Sequence, residues 1–383
     1  MGLHGVSQFL RNKVPHLRHT SHISLFAHQR VFVDIASYLF KYVVVCGTET
    51  TSWLNQFMSL MYCFRKNGVI VIPVFDGPAP AAKHDEQQAR RDARNKTKEK
   101  IEEAFQAIHH YEMYRSTRTV EDVEQHQAII EIIQRELSTM TSKGFSSKPL
   151  MVRNDTDSNA LAFTEKELND LKQHLQQQKR SVSTLSKDDY ELLQHLLQAC
   201  GITYIKAPGE SEAYCCYLVR HKFGAAVVSY DTDCIAHRAD TIIFDLDKTN
   251  GQITYVNTEE LCHEWGLTEQ QLVDFGILVG CDYNPGCRKN KIGPVKAVQL
   301  LAKYGTIENI PDLADYEGLK AQLCRELFNI EHDLSSIVVP TYVPDEQRIR
   351  ELASSRTGIN LRTLYDIAQC CTKIHTVKIS EEK

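Results

Sequence analysis

Residues 206–216 read KAPGESEAYCC, and residues 227–237 read VVSYDTDCIAH. Each stretch carries two carboxylates one residue apart, Glu210 with Glu212 and Asp231 with Asp233, beside a short apolar run. Two other apolar runs end in the same way: RVFVD at 30–34 closes on Asp34, and VIVIPVFD at 69–76 closes on Asp76. Short runs of this kind predict buried strands. With helical patterns between them, they predict an α/β fold around a mostly parallel sheet. In such a sheet the strand C-termini share one edge, and ligands bind there. Six acids from four distant segments then meet at that edge. A seventh, Asp282, follows a helix expected over 267–280.

Taken singly, each acid reads equally well as a solvated surface residue. Together they cannot all stay ionised in one cleft without cations. Hard oxygen ligands suit Mg²⁺, with Mn²⁺ as a substitute. Two such ions roughly 4 Å apart activate a water and stabilise the oxygen leaving a phosphodiester. The paired acids therefore look like the walls of a two-metal phosphotransfer or nuclease site. Residues two apart on a helix do not face the same way, so Glu210 and Glu212 share a site only at a helix start. The Pro208-Gly209 break before them suits that. Asp231 and Asp233 are expected on an extended segment, where alternate residues face one side.

The chain has 383 residues, 42% hydrophobic and 24% charged, and a net charge of −5. Any basic DNA-binding surface must therefore be local. The twelve cysteines show no zinc-type spacing and read as buried reduced thiols. The longest apolar run, VIVIPVF at 69–75, is too short to span a membrane. Helices are expected over 49–66, along the charged stretch beginning at Lys83, and over 188–201 and 211–222. A hairpin is expected at 241–255. Residues 107–190 are polar, with loops at 144–149 and 154–159 and an exposed helix at 166–179. They read as a solvated insertion rather than a second core.

These blocks, in this order, resemble the flap endonucleases and their XPG-type relatives, structure-specific 5′ nucleases with a PIN-like fold. The resemblance runs through MGLHGVSQFL, VDIASYLFKY, ETTSWLNQF, IPVFDGPAPAAK, KAPGESEA, VVSYDTDC, LVGCDYN and IGPVKAVQLLAKYG. It covers roughly residues 1–100 and 185–310. It implies that Asp34, Asp76, Glu210, Glu212, Asp231, Asp233 and Asp282 hold two Mg²⁺ ions. It implies that Lys83 and Arg90, seven apart and so on one helical face, polarise the scissile phosphate. Phe40 matches the family's base-stacking aromatic; without the resemblance it reads equally well as a core residue. The hairpin NKIGPVKAV matches the helix-two-turn-helix clamp, with Gly293 and Lys296 on duplex phosphate. Gly2, Arg91 and Arg94 are further expected DNA contacts. Between Lys83 and Lys100, seven Lys/Arg face four Asp/Glu, a basic rim beside an acidic pit.

The resemblance thus implies a Mg²⁺-dependent endonuclease that hydrolyses branched or nicked double-stranded DNA at 5′ flaps, in replication, repair or recombination. Two alternatives in the same family are a 5′–3′ exonuclease and a bubble or junction cutter. A catalytically inactive DNA-binding scaffold is the alternative of another class. The expected regions are an N-terminal nuclease region at 1–106, a helical arch at 107–185, an internal nuclease region at 186–330 and a helical tail at 331–383. The helix-two-turn-helix element is expected at about 280–305. Lys291 stands where the family has a second hairpin glycine, and the interval from Asp76 to Glu210 is longer than in the family. The tail shows no sliding-clamp motif and no basic nuclear-import cluster. A monomer is expected, free of membranes, in a nucleus (a host's, for a viral protein) or at a cytoplasmic site of DNA replication.

Overall fold

The computed structural model describes residues 2–117, 123–142, 163–284, 290–313, 315–333 and 339–381. The loops expected at 144–149 and 154–159 lie outside these residues, as does most of the NPGCRKN stretch before the hairpin. In chain order the helices are α1 (Val6–Asn12), α2 (Ile35–Cys46), α3 (Ser52–Lys66), α4 (His84–Thr117), α5 (Val123–Ser142), α6 (Glu165–Ser181), α7 (Lys187–Ala199) and α8 (Ser211–Arg220). They continue with α9 (Asp233–Ala236), α10 (Thr258–Trp265), α11 (Glu269–Val279), α12 (Pro294–Tyr304), α13 (Ala321–Phe328), α14 (Glu346–Ser354) and α15 (Leu361–Glu381). The strands are β1 (His19–His22), β2 (Arg30–Asp34), β3 (Ile70–Phe75), β4 (Ile205–Lys206), β5 (Ala226–Val228), β6 (Thr241–Asp247) and β7 (Gln252–Asn257).

Among the described residues these strands form one sheet in the order β1-β7-β6-β5-β2-β3-β4. From β6 to β4 neighbouring strands are parallel; β7 and β1 add an antiparallel edge. The register sets Val33 of β2 opposite Val228 of β5 and Pro73 of β3. The central strands are covered on both faces, so they read as unbroken apolar runs: Val31, Phe32, Val33, Val71, Ile72, Val74, Val227 and Val228 are all buried. Helix α3 buries Trp53, Leu54, Phe57, Met58, Leu60, Met61 and Phe64. Helix α8 buries Cys215, Cys216, Leu218 and Val219. The described cysteines are free thiols, most of them buried. No helix among the described residues is long and apolar enough to cross a membrane.

The chain forms two compact units. The first comprises residues 1–42, 50–87 and 185–383 and holds the sheet. The second comprises 43–49 and 88–184, and it corrects the expectation of a coreless insertion. Ile101, Ala104, Ile108 and Tyr111 of α4 pack with Ile133 of α5 and Leu168, Leu171 and Leu175 of α6. The helix around 166–179 is therefore amphipathic rather than exposed all round. Its leucines recur every three or four residues and form one buried stripe. A capping box of Thr164 and Glu167 starts it. The Tyr111 hydroxyl accepts the Phe163 N–H at 3.1 Å.

Candidate active site

Each acid reaches the sheet edge for a local reason. Asp34 is the last residue of β2, and Asp76 directly follows β3. Glu210 caps α8, so Glu210 and Glu212 flank a helix start, as their spacing requires. The loops after β3 and β4 are tied together where the Gly77 N–H meets the Gly209 carbonyl at 2.7 Å. A Cβ on Gly77 would lie 2.2 Å from the Ala207 carbonyl, so glycine alone permits this approach. Asp231 and Asp233 correct the expectation of an extended segment. Strand β5 ends at Val228, and Asp233 opens the four-residue helix α9. They meet because the Asp233 N–H donates to Asp231 Oδ1 at 3.0 Å, the local side-chain cap that Asp favours.

Two serines join the acids. Ser211 Oγ lies 2.7 Å from Asp34 Oδ1 and 2.7 Å from Asp76 Oδ1, and its N–H donates to Asp76 Oδ1 at 2.8 Å. A hydroxyl holds one proton and cannot satisfy both carboxylates together. Ser229 Oγ donates to Asp34 Oδ2 at 2.8 Å and accepts the Asp231 N–H at 3.0 Å. Asp34, Asp231 and Asp233 are buried, and Asp76 is the most open of the set. On the other side, Lys83 Nζ lies 2.6 Å from Glu210, 3.6 Å from Asp282 and 3.7 Å from Glu212. The Tyr283 hydroxyl donates to Glu210 Oε2 at 2.7 Å, and its ring lies under the Lys83 ammonium.

Burial, and then mutual repulsion, raise the carboxyl pKa values. Burial pushes Asp233 and Glu212 well above the carboxylate range, and the Asp231 charge adds to both. Burial also raises Asp34 and Asp231, and crowding by the surrounding chain with the Asp34 charge raises Asp76. For Lys83, burial opposes the charge, but Glu212, Glu210, Asp233 and Asp282 together hold the ammonium above its ordinary range. The pit is thus short of positive charge even with Lys83 in it.

The donor set suits divalent cations. Both carboxylate oxygens of Asp233 are buried without a hydrogen-bond partner among the described residues, a costly state unless a cation completes them. Among the described residues, however, no three His, Cys, Asp or Glu side chains already converge as a closed metal cage. The Lys83 ammonium stands among Glu210, Glu212 and Asp282. A thermal prediction follows from the raised acids. They are protonated in the fold at low pH, and stability is lost as pH rises from the unfolded carboxylate range through their raised values. Mg²⁺ or Mn²⁺ is therefore expected to raise Tm, more at pH 8 than at pH 5. Saturating metal contributes about 2.7 kcal/mol at a hundredfold excess over Kd. Calorimetric melts with metal and with EDTA check this; a shift independent of pH counts against metal at these acids.

Residues 1–97 match the XPG N-terminal domain, and residues 201–282 match the XPG I-region. All seven acids, Lys83 and Arg90 fall within those two blocks. The chain carries both regions of the XPG-type nucleases. Among its relatives is a probable RAD2-like endonuclease of Invertebrate iridescent virus 6, 25% identical over 340 residues, 84% of this chain and 76% of the relative. Flap endonuclease 1 of Candida glabrata is 24% identical over 325 residues, 81% and 68% of the two chains. Among solved structures, flap endonuclease-1 from Methanococcus jannaschii aligns with TM-score 0.59 at 19% identity, over 94% of this chain and 97% of that one. The catalytic core of Rad2 with DNA substrate aligns with TM-score 0.57 at 15% identity, over 97% and 100%. At these identities the likeness shows the fold.

Phe40 is 47% exposed on α2, which rules out the core reading and leaves its ring free to stack. Lys83 closes the 3₁₀ turn Ala81–Lys83, and α4 begins at His84. Lys83 therefore sits in the turn that leads into α4, one residue before the helix that carries Arg90. Lys83 is also 5% exposed rather than solvated. Arg90 and Arg91 are exposed and Arg94 half-buried on α4, in the second unit. Gly293 caps α12, and Lys296 is exposed in its first turn. A Cβ on Gly293 would meet no atom within 4 Å, so the chain's own packing does not demand glycine there. Lys291 takes φ 50°, a left-handed conformation that costs a lysine about 1 kcal/mol where glycine adopts it freely. Gly2 lies against the acid pair: at φ 80°, its Cβ would lie 1.9 Å from Asp231 Oδ1. Sequence reasoning missed Ser211, Ser229 and Tyr283. Their signal was position alone, since each lies within two residues of a candidate ligand.

Proposed function

We propose that this XPG-type nuclease hydrolyses phosphodiester bonds of branched DNA, cutting where a 5′ single strand meets duplex, with two Mg²⁺ ions held by Asp34, Asp76, Glu210, Glu212, Asp231, Asp233 and Asp282. Mn²⁺ serves as a substitute. The observation that carries this reading is Asp233, buried beside other acids with both oxygens unpartnered among the described residues. When bound, the ions supply charge neutralisation and a more acidic attacking water. Ser211 and Ser229 hold Asp34 and Asp76 in place. Tyr283 fixes Glu210. Lys83 brings an ammonium to an oxygen of the scissile phosphate as charge builds there. Arg90 assists from α4, and Arg91 and Arg94 extend the basic rim. Phe40 stacks on the base beside the cut. Gly293 and Lys296, at the start of α12, hold phosphate of the duplex without reading sequence. The relatives' names support this reading, since they include flap endonucleases and RAD2-like endonucleases.

The test is cleavage of a 5′-labelled 5′-flap DNA, with Mg²⁺ and with EDTA. One Mg²⁺-dependent product cut near the junction is expected. Release of mononucleotides moves the activity to a 5′–3′ exonuclease. Binding without cleavage of flap, bubble or four-way junction makes the protein a scaffold.

A further inference from the structure

A cavity of about 230 Å³ opens among α1, α2, β6 and the segment after β5. Tyr230 and Thr232 line it, and they are the two chain neighbours of Asp231. Its charged lining is Arg11, Arg18 and Lys41 against the single acid Asp245. The lysine is already positioned. Its ammonium lies 4.1 Å from the centre of the Tyr230 ring, donates to the Tyr230 hydroxyl, and stands 3.8 Å from Asp245. The Tyr230 hydroxyl in turn donates to Asp245 Oδ1 at 3.2 Å.

The two arginines differ from Lys41. Neither guanidinium has an ion pair or side-chain hydrogen bond among the described residues. Arg11 is exposed on the last turn of α1, and Arg18 is half-buried just before β1. Unpaired cations around one concavity repel one another, and the fold gains nothing from that arrangement by itself. An anion in the cavity reverses the sign. The guanidinium fork matches two phosphate oxygens, and the Asp245 charge is already occupied by Lys41 and Tyr230.

We propose that this cavity is a phosphate subsite, taking one phosphodiester of the DNA strand that reaches the acid pit. The assignment rests on the nuclease reading above and adds a backbone contact at residues that adjoin Asp231 in the chain. Arg11 and Arg18 clamp the phosphate, and Lys41 adds its charge to the cavity's field.

The experiment uses the full chain, a fluorescently labelled 5′-flap DNA and EDTA, so that binding is read without cleavage. Anisotropy titrations across a salt series compare the unsubstituted protein with Arg11→Ala/Arg18→Ala. The double variant is expected to bind about tenfold more weakly at low salt. Its slope of log K against log salt falls by about 1, the loss of one phosphate contact. Arg11→Lys/Arg18→Lys is expected to recover most of the slope, which a merely structural role would not do. Melting curves should coincide, because neither guanidinium has a side-chain partner among the described residues. Unchanged affinity and slope overturn the subsite, whether or not the unsubstituted protein cleaves flaps. Displacement of the effect by submillimolar inorganic phosphate also overturns it, making the cavity a site for free phosphate. A protein that binds flap DNA through these arginines but cleaves nothing sinks the nuclease reading and leaves the subsite standing.

Discussion

Asp233→Asn lowers kcat on 5′-flap DNA by about a thousandfold, while DNA affinity changes little and the metal-free protein becomes more stable. The three effects share one cause. Asp233 is fully buried, and neither carboxylate oxygen has a hydrogen-bond partner among the described residues. An amide of nearly the same shape keeps the packing and the N–H that reaches Asp231. It removes the negative charge that a cation needs. A metal's charge stabilisation of the transition state is worth several kcal/mol, and about 4 kcal/mol is three decades in rate. DNA does not touch a side chain with no exposed surface, so binding persists. The stability sign follows from the raised carboxyl: burial and the Asp231 charge disfavour ionisation, so near neutral pH the ionised group costs the fold free energy. The neutral amide does not carry that cost, and Tm without metal rises by about 2 °C. Single-turnover rates, anisotropy in EDTA and melts with EDTA read the three arms. A variant that loses activity together with stability makes Asp233 a packing residue.

How much of this was legible in the sequence depended on whether local rules were enough. The acid edge was legible because strands covered on both faces leave unbroken apolar runs, and Asp34 and Asp76 end two of them. The placement of Glu210 at a helix start was legible because helical geometry allows no other way for Glu210 and Glu212 to share a site. Asp231 and Asp233 were misread in conformation. Helix α9 is four residues long and entirely buried, and DCIA shows no periodicity against its apolar neighbours. The second unit's core was hidden by composition. Its three helices expose most of their surface, so a few buried residues such as Leu168, Leu171 and Leu175 sit in a strongly polar stretch. Lys83 was misread for a tertiary reason. Nothing near AAKHDE announces burial, and its partners Glu210, Glu212 and Asp282 come from more than a hundred residues away. The Ser211 bridge was invisible in the same way, because its meaning depends on Asp34 and Asp76 standing on both sides of one hydroxyl.

Lys83→Met separates two tasks that one ammonium performs. In the fold as it stands, Lys83 is the counterion of Glu210, Glu212 and Asp282, and its charge is held by these acids against the cost of burial. A divalent ion brought to the same carboxylates meets that charge. Removing it is expected to tighten Mn²⁺ binding in the absence of DNA by roughly tenfold, since a unit charge a few ångströms away is worth of order 1 to 4 kcal/mol between water and protein-surface dielectric. The second task is on the scissile phosphate, where loss of one preorganised donor lowers kcat by about 10²–10³-fold. Tighter metal and slower chemistry in one variant is the expected pair, read by Mn²⁺ electron paramagnetic resonance and by single-turnover cleavage. Weaker Mn²⁺ binding with slower cleavage would make Lys83 a scaffold for the acids and no competitor of the metal. Lys83→Arg discriminates further. It keeps the charge near Glu210 but spreads it over a planar fork, so it should restore the metal affinity of the unsubstituted protein while recovering only part of kcat. The pit is then a site that Lys83 partly neutralises until metal arrives. The same residue becomes available to the phosphate once the carboxylates have a stronger partner.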